Sequence, residues 1–146
     1  MNGRYFLDTN IFVYTFDPVD RIKREKAREL VNDALTGNQG IISWQVVQEF
    51  LNVAQRKLLV PFSPADCASY LNDVLAPLCE VFPSVELYRK SLEIYERERF
   101  SFYDCLIVAA AIEAGCKTLF TEDMQAGRHI SGLVLRSPFQ AVKGKG

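Results

Sequence analysis

The sequence is poor in the side chains that many metal and nucleophile sites need. Histidine occurs once among the 146 residues, at His129, within the polar segment 125–129 where a surface position is the simpler interpretation. A single histidine leaves no plausible Ser-His-Asp arrangement for nucleophilic hydrolysis. No C-x-x-C pair is present, which excludes a zinc site with the usual ligand spacing. The four cysteines are Cys67, Cys79, Cys105 and Cys116.

Long apolar stretches are also missing. The purest apolar run, Cys105 to Ile112, has eight residues, which is far too short to span a bilayer. Near the start of the chain, Asp8 and Asn10 interrupt the apolar residues, so no signal peptide is expected. The sequence therefore predicts a cytoplasmic protein without membrane contacts, whose thiols stay reduced and pack as small hydrophobic side chains.

Neither sign of charge is in excess, because 17 basic residues face 18 acidic ones. This balance excludes a strongly basic nucleic-acid coat, so any nucleic acid must be bound through a local patch or through metal ions. Hydrophobic residues make up 49% and charged residues 24% of the chain, a composition typical of globular proteins. The length predicts one domain over residues 1–146, with its core at about 4–136 and a frayed tail at 140–146.

Short apolar strands alternate with helices along the chain. We predict strands at 5–7, 41–42, 79–82, 118–120 and 133–135. Helices extend to about Leu35, Leu59, Leu75, Tyr95 and Ala114, and their predicted N-terminal caps are Asp20, Ser43, Ser63, Ser84 and Ser101. This alternation is typical of an α/β fold with a parallel sheet.

Acidic residues follow two of the predicted strands. Asp8 comes directly after the first strand, and Asp123 closely follows the strand that ends at Phe120. Ligands bind beyond the carboxyl ends of parallel strands, so these two carboxylates meet if their strands are neighbours. Asp104, in the first turn of its helix, faces the same edge. Glu49 is a lone acid between residues 40 and 65.

Each of these acids also has a purely structural interpretation. Asp8 is equally typical of a turn or a helix cap, and Asp104 could complete the capping box that Ser101 opens. Asp123 could cap a following helical turn, and Glu49 could simply face solvent. No single acid identifies a site, and the hypothesis of a shared site depends on the strand-end geometry that brings at least two of them together.

Several carboxylates in one cleft indicate a hard cation. Like charges repel one another, and burial makes the repulsion worse. Such a cluster is tolerated when it is protonated or when it binds Mg²⁺ or Mn²⁺, which prefer oxygen ligands and often contact substrate phosphates. These ions activate water and neutralise charge on a phosphodiester. The sequence therefore predicts metal-dependent hydrolysis.

Four motifs contain these acids, in this order: Phe6-Leu-Asp8-Thr9-Asn10, Ile42-Ser43-x-x-Val46-Val47-x-Glu49-Phe50, Ser101-x-x-Asp104-x-x-Ile107-x-Ala109-Ala110-Ala111 and Leu119-x-Thr121-x-Asp123. Each motif is weak alone, but the four in this order and at these intervals are highly specific. Together they resemble the PIN-domain ribonucleases, and most closely the VapC-type toxins of bacterial and archaeal toxin–antitoxin pairs. The resemblance extends from about Tyr5 to Leu135.

The resemblance implies a three-layer α/β/α fold with a short central parallel sheet, a Mg²⁺ or Mn²⁺ site, and endonucleolytic cleavage of RNA. It also implies a VapB-type antitoxin as partner and a homodimer. The family's four acidic positions, catalytic and metal-binding, fall on Asp8, Glu49, Asp104 and Asp123, with Asp8 and Asp104 expected to bind the metal most directly. Positions that shape the site by hydrogen bonding fall on Thr9, Asn10 and Thr121. Glu122 is an additional acid, either an outer-sphere group or a competitor of Asp123.

Three other functions stay open at this point. A PIN nuclease that processes RNA without an antitoxin would share every motif. A phosphatase of the haloacid dehalogenase type needs a second Asp two residues after its nucleophile, where this chain has Asn10. A non-catalytic RNA-binding or interaction module would retain the acidic cleft, although the near-neutral charge is a poor fit to tight metal-free RNA binding.

Several basic and aromatic residues keep two interpretations. Arg97, Arg99, Arg128 and Arg136 belong either to a solvated surface or to contacts with RNA phosphates, which need only local positive charge. Trp44, at the start of the helix that contains Glu49, is expected in the core rather than in base stacking.

Overall fold

A computed structural model describes residues 3–139, and the tail expected at 140–146 lies outside this range. The strands are β1 (Tyr5–Leu7), β2 (Gly40–Ser43), β3 (Cys79–Val81), β4 (Thr118–Phe120), β5 (His129–Ile130) and β6 (Leu133–Arg136). The helices are α1 (Thr9–Tyr14), α2 (Arg21–Gly37), α3 (Trp44–Arg56), α4 (Pro64–Tyr70), α5 (Ala76–Leu78), α6 (Val85–Arg97) and α7 (Phe102–Glu113). A π-helical turn, Leu71–Leu75, joins α4 to α5.

The strands form one sheet in the order β3-β2-β1-β4-β6-β5. The predicted parallel arrangement is confirmed for β1, which pairs with β2 and β4, and for the β2–β3 and β4–β6 pairs. The exception is β5, which pairs antiparallel with β6 in a stretch predicted to be a polar loop. Positive φ angles at Ser131 (51°) and Gly132 (84°) make the tight turn between these two strands possible.

The order of the strands places the helices in layers. From β1 to β3 the chain steps across the sheet in one direction, so right-handed crossovers place α1 to α5 on one face. The connection from β3 to β4 returns across the sheet, which places α6 and α7 on the opposite face. The result is the predicted three-layer α/β/α arrangement, with β1 in the middle of the sheet between β2 and β4.

Helix α7 is the most deeply buried helix of the described chain. All residues from Cys105 to Ala111 are buried, which is the pattern of a helix that is apolar all round. It packs between α6 and the strands β2 and β4, and its run of three alanines allows close approach. Within residues 3–139, no helix is both long and apolar enough to cross a membrane.

Helix α1 was not predicted from the sequence. Its residues, Thr9–Tyr14, are mostly β-branched or aromatic, a composition that favours strands. Two features of the structure favour a helix instead. The Asp8 carboxylate accepts a hydrogen bond from the Thr9 N–H, and Ile11 and Phe12 are fully buried. Tertiary burial and a cap therefore override the local preference.

The other helix starts follow the sequence closely, with one exception. Asp20, Ser63, Ser84 and Ser101 each accept a hydrogen bond from a backbone N–H in the first turn. Ser43 lies at the cap position of α3 but makes no capping bond; it is also the last residue of β2 and is buried. Helix α3 ends at Arg56, three residues before the expected end.

Trp44 is a second correction to the sequence-based expectations. We expected it in the core, but it is 43% exposed and lies against Phe82, with 5.7 Å between ring centroids. As the first residue of α3, it lies outside the buried core.

Gly40 provides a test of how α2 packs on the sheet. A Cβ atom at this position would lie 2.4 Å from the Ala34 Cβ and 2.9 Å from the Tyr5 ring. We predict that Gly40→Ala lowers the free energy of unfolding by about 1–3 kcal/mol through overpacking, as measured by urea denaturation. Gly37→Ala is the matched control, because a Cβ there meets nothing within 4 Å. Equal stability of the two variants would contradict this packing.

Candidate active site

The candidate site lies at the carboxyl edge of the sheet, where β1 and β4 end side by side. The Asp8 N–H donates to the Phe120 carbonyl across this edge, at 3.0 Å. Asp8 is only 4% exposed, and Thr121, which follows β4, is fully buried. The strand-end argument required β1 and β4 to be neighbours, and the structure confirms that they are.

Two hydrogen bonds fix the Asp8 carboxylate. Its Oδ1 accepts from the Thr9 N–H at 2.7 Å, and its Oδ2 accepts from the Thr121 hydroxyl at 2.7 Å. The Thr121 Oγ1 also accepts from the Asp123 N–H, at 3.1 Å. Asp8 is therefore a helix cap, as one interpretation of the sequence held, and the same side chain is tied to the segment that contains Asp123.

Glu49 reaches the same edge from the first half of α3. Its Oε1 accepts from the Thr9 hydroxyl at 2.6 Å, and its Oε2 accepts from the Gln45 amide at 3.0 Å. Thr9 thus contacts both acids, because its backbone N–H donates to Asp8 and its hydroxyl donates to Glu49. The Gln45 amide also donates to the Tyr103 carbonyl, at 3.2 Å, and so joins α3 to the start of α7.

Gln45 is a site residue that the sequence analysis missed. Its position one helical turn before Glu49 is the signal that could have identified it, since side chains at i and i+4 lie on the same face of a helix.

Asp104 lies in the first turn of α7, where its N–H donates to the Ser101 hydroxyl at 3.1 Å. In a full capping box the acid would also accept from the cap residue's N–H, as Asp66 does from Ser63. Among the hydrogen bonds of residues 3–139, this reciprocal bond is not formed by Asp104. Asp104 instead lines a cleft of about 520 Å³ together with Asp123.

The four acids form one electrostatic cluster. Burial raises the pKa of Asp8 to about 7, and the negative charges of Asp123 and Glu49 add to this rise, while hydrogen bonds from Thr121 and Thr9 oppose it. Burial also raises the pKa of Asp104, with further contributions in the same direction from Asp123 and Glu49. Both carboxyl groups therefore respond to the same two neighbours.

Two of the predicted supporting residues are placed differently from the others. Glu122 accepts hydrogen bonds from the Tyr14 hydroxyl and from the Lys23 ammonium group, both at 2.5 Å, so its charge is neutralised at α1 and α2. Asn10 was expected to hydrogen-bond within the site. Its buried side-chain oxygen and nitrogen find no partner among residues 3–139.

The donor set fits a hard divalent cation. Every acid of the cluster offers carboxylate oxygens, the ligands that Mg²⁺ and Mn²⁺ prefer, and the unsatisfied buried amide of Asn10 lies two residues from Asp8. The side-chain positions do not by themselves define a coordination sphere. Within residues 3–139, no three His, Cys, Asp or Glu side chains are arranged to hold a metal ion.

Comparisons with known proteins agree with this architecture. The family model of the PIN domain matches residues 5–129 of this chain. A toxin–antitoxin complex from Klebsiella pneumoniae is similar in structure, with a TM-score of 0.69 at 18% identity, covering 94% of this chain and 99% of that chain. A comparison with curated proteins finds no match.

Two further solved structures show the same fold. The DNA-bound VapBC of Salmonella typhimurium has a TM-score of 0.66 at 20% identity and covers 93% of this chain and 98% of that chain. The Mycobacterium tuberculosis toxin VapC20, described as cleaving the sarcin–ricin loop, has a TM-score of 0.58 at 17% identity and covers 82% and 89%.

The raised pKa of Asp8 predicts a pH signature in metal-free buffer. The folded protein holds the Asp8 proton to about pH 7, whereas the unfolded chain releases it near pH 4. The Asp8 contribution therefore lowers the free energy of unfolding of the wild type as the pH rises from 4 to 7, and Asp8→Asn lacks this loss. The free energy of unfolding of Asp8→Asn minus that of the wild type should therefore increase by on the order of 1 kcal/mol or more between pH 4 and pH 8. We would measure it by urea denaturation in buffer that contains a chelator.

Asp17→Asn is the matched control for this measurement. The Asp17 carboxylate accepts hydrogen bonds from two backbone N–H groups, which lower its pKa. The stability that Asp17 contributes is lost only as the pH falls below the ordinary pKa range of a carboxyl group. The difference in free energy of unfolding between Asp17→Asn and the wild type should therefore stay constant between pH 5 and 8. Parallel curves for the wild type and Asp8→Asn would show that Asp8 is not a destabilising buried charge.

Proposed function

Because this chain belongs to the PIN domain family, we propose that it is an endoribonuclease whose active site is the cluster of Asp8, Glu49, Asp104 and Asp123. The observation that supports this most directly is the shared electrostatic environment of acids from four separate segments. Asp8 lies at the centre of the sheet edge, where burial raises its pKa and the charges of two other members add to the rise. Such an arrangement costs stability and is typical of a functional site.

A divalent cation, Mg²⁺ or Mn²⁺, would be held by Asp8 and Asp104, with Asp123 and Glu49 as further ligands. When bound, such an ion activates water and neutralises charge on the scissile phosphate. The expected products have 5′-phosphate and 3′-hydroxyl ends.

The hydrogen-bonding residues of the chain orient these ligands. Thr121 holds one Asp8 oxygen and, through the Asp123 N–H, the start of the Asp123 segment. Thr9 and Gln45 together occupy both oxygens of Glu49. These bonds pre-orient the side chains that face the cation, and such supporting contacts commonly matter for metal affinity almost as much as the ligands do.

We further propose that the protein is a VapC-type toxin, neutralised by an antitoxin and assembled as a homodimer. The support is the similarity in fold to chains of toxin–antitoxin complexes over nearly their whole length. An arginine or lysine of the antitoxin would satisfy the acidic cluster through charge-assisted hydrogen bonds.

Exposed apolar surface supports the presence of a protein partner. Leu59 and Val60 are 76% and 78% exposed, beside an apolar groove lined in part by Phe16, Phe62 and Tyr70. An amphipathic segment of the antitoxin would bury its apolar face in this groove.

Cleavage of total RNA by the purified protein tests the nuclease proposal. We predict that Asp104→Asn loses at least 100-fold in rate in saturating Mg²⁺ while its melting temperature is retained, because the change removes one ligand charge and little shape. Asp123→Asn should also lose cleavage. Glu122→Gln should retain it, since Glu122 is paired with Lys23.

The outcomes of this assay separate the possible assignments. A wild-type rate for Asp104→Asn would refute the proposed metal site. A greater loss in Glu122→Gln than in Asp123→Asn would assign the fourth acidic position to Glu122.

Expression in the native host tests the toxin proposal separately. Induction of this chain alone should arrest growth, Asp8→Asn should abolish the arrest, and co-expression of the adjacent gene should restore growth. Harmless expression of cleavage-active protein in a host that lacks every neighbouring gene would contradict the toxin proposal and leave the nuclease proposal intact.

A further inference from the structure

A cleft beside the acidic cluster combines charges of both signs. It has a volume of about 520 Å³ and lies between the segment that joins α6 to α7 and the segment that follows β4. Asp104 and Asp123 contribute to its wall, and so do three arginines, Arg97, Arg99 and Arg128. Glu98 also lines the cleft, so three arginines face three carboxylates there, and the arginines are the cationic part of a lining of mixed charge.

Two of the three guanidinium groups carry uncompensated charge. Arg97 and Arg99 are exposed, and neither takes part in the ion pairs found among residues 3–139. Both flank Glu98, whose carboxylate is occupied elsewhere. Their charge is therefore available to an anion in the cleft.

Arg128 is held in place rather than free. Its guanidinium pairs with Glu98 and lies over the Phe100 ring, 5.4 Å from the ring centroid. Its carbonyl accepts from the Leu135 N–H at 2.9 Å, which anchors its backbone to β6. A guanidinium has five N–H donors, so the pair with Glu98 leaves donors for a second acceptor while it fixes the plane of the group.

We propose that this cleft binds the RNA phosphate next to the scissile one, with Arg99 and Arg128 as its donors and Arg97 at the rim. The inference rests on the proposed nuclease function. A single-stranded RNA that places one phosphate at Asp104 and Asp123 necessarily brings the next phosphate along the chain close to that position. A guanidinium offers a planar fork that matches phosphate oxygens, and its charge offsets the repulsion between RNA and the two carboxylates.

Binding of a fluorescein-labelled single-stranded RNA, followed by anisotropy in Mg²⁺ at increasing KCl, tests the proposal. Every protein carries Asp8→Asn, a substitution that prevents cleavage at a residue outside the lining of the cleft. For single strands, each lost phosphate contact reduces the slope of log affinity against log salt by about 0.7. Arg99→Gln and Arg128→Gln should each show this reduction and about tenfold weaker binding at low salt, whereas Arg99→Lys should retain the slope.

Arg56→Gln is the matched control. Arg56 is the last residue of α3, a helix that begins at the site edge and extends away from it by about 18 Å, at 1.5 Å per residue. The salt dependence of RNA binding by Arg56→Gln should therefore equal that of the Asp8→Asn parent. Because Arg128→Gln breaks the ion pair with Glu98, the melting temperature of this variant is measured as well. Arg99→Gln tests the cleft while leaving that ion pair intact.

The possible results separate this inference from the proposed function. Unchanged slopes for Arg99→Gln and Arg128→Gln, in a protein whose unsubstituted form cleaves RNA, would overturn the arginine cleft alone. Failure of the unsubstituted protein to cleave any RNA, together with failure of the Asp8→Asn parent to bind it, would overturn both proposals.

Discussion

The buried carboxylate of Asp8 is the constraint on which the rest of the site depends. At the centre of the sheet edge it has almost no contact with solvent, and burial of an acid is costly unless hydrogen bonds or a cation compensate. The Thr9 N–H and the Thr121 hydroxyl supply two such bonds. The same two residues also orient Glu49 and the Asp123 segment. Satisfying one buried acid thus positions two others.

Strand order makes this possible. β1 lies between β2 and β4, so Asp8, which directly follows β1, has neighbours on both sides. These are α3, which follows β2, and Thr121, which follows β4. Helix α7 then approaches from the opposite face, with its small buried residues close to the sheet and its first turn, with Asp104, at the same edge. The sheet brings together at one edge acids that lie far apart in the sequence.

The sequence was sufficient where one local signal determined the structure. Capping at Ser63, Ser84 and Ser101, and the placement of Asp8 after an apolar strand, follow from short patterns that the structure confirms. Where tertiary contacts decide, the sequence was insufficient. The strand-like composition of α1 concealed a helix because burial of Ile11 and Phe12 prevails over local preference.

The orientation of individual side chains was also beyond prediction. Glu122 and Asp123 are adjacent acids, yet only the structure shows that Lys23 and Tyr14 pair with Glu122. Gln45 contacts both Glu49 and the Tyr103 carbonyl. Gln45 and Tyr103 are 58 residues apart in sequence, and their contact depends on how α3 packs beside α7.

The hydrogen bond between Thr121 and Asp8 joins residues 113 positions apart, and this separation has a consequence during synthesis. Domains fold as units, and chain elongation proceeds at about 5–20 residues per second. β1 leaves the ribosome some seconds before its partner β4, and β4 itself pairs with β6. Until then Asp8 is a solvated carboxylate on an unfinished sheet. For a chain proposed to cut RNA, a nascent or truncated product that lacks β4 has no assembled site, so the ribosome that makes the protein is not exposed to a working nuclease before β4 has been synthesised and has paired with β1.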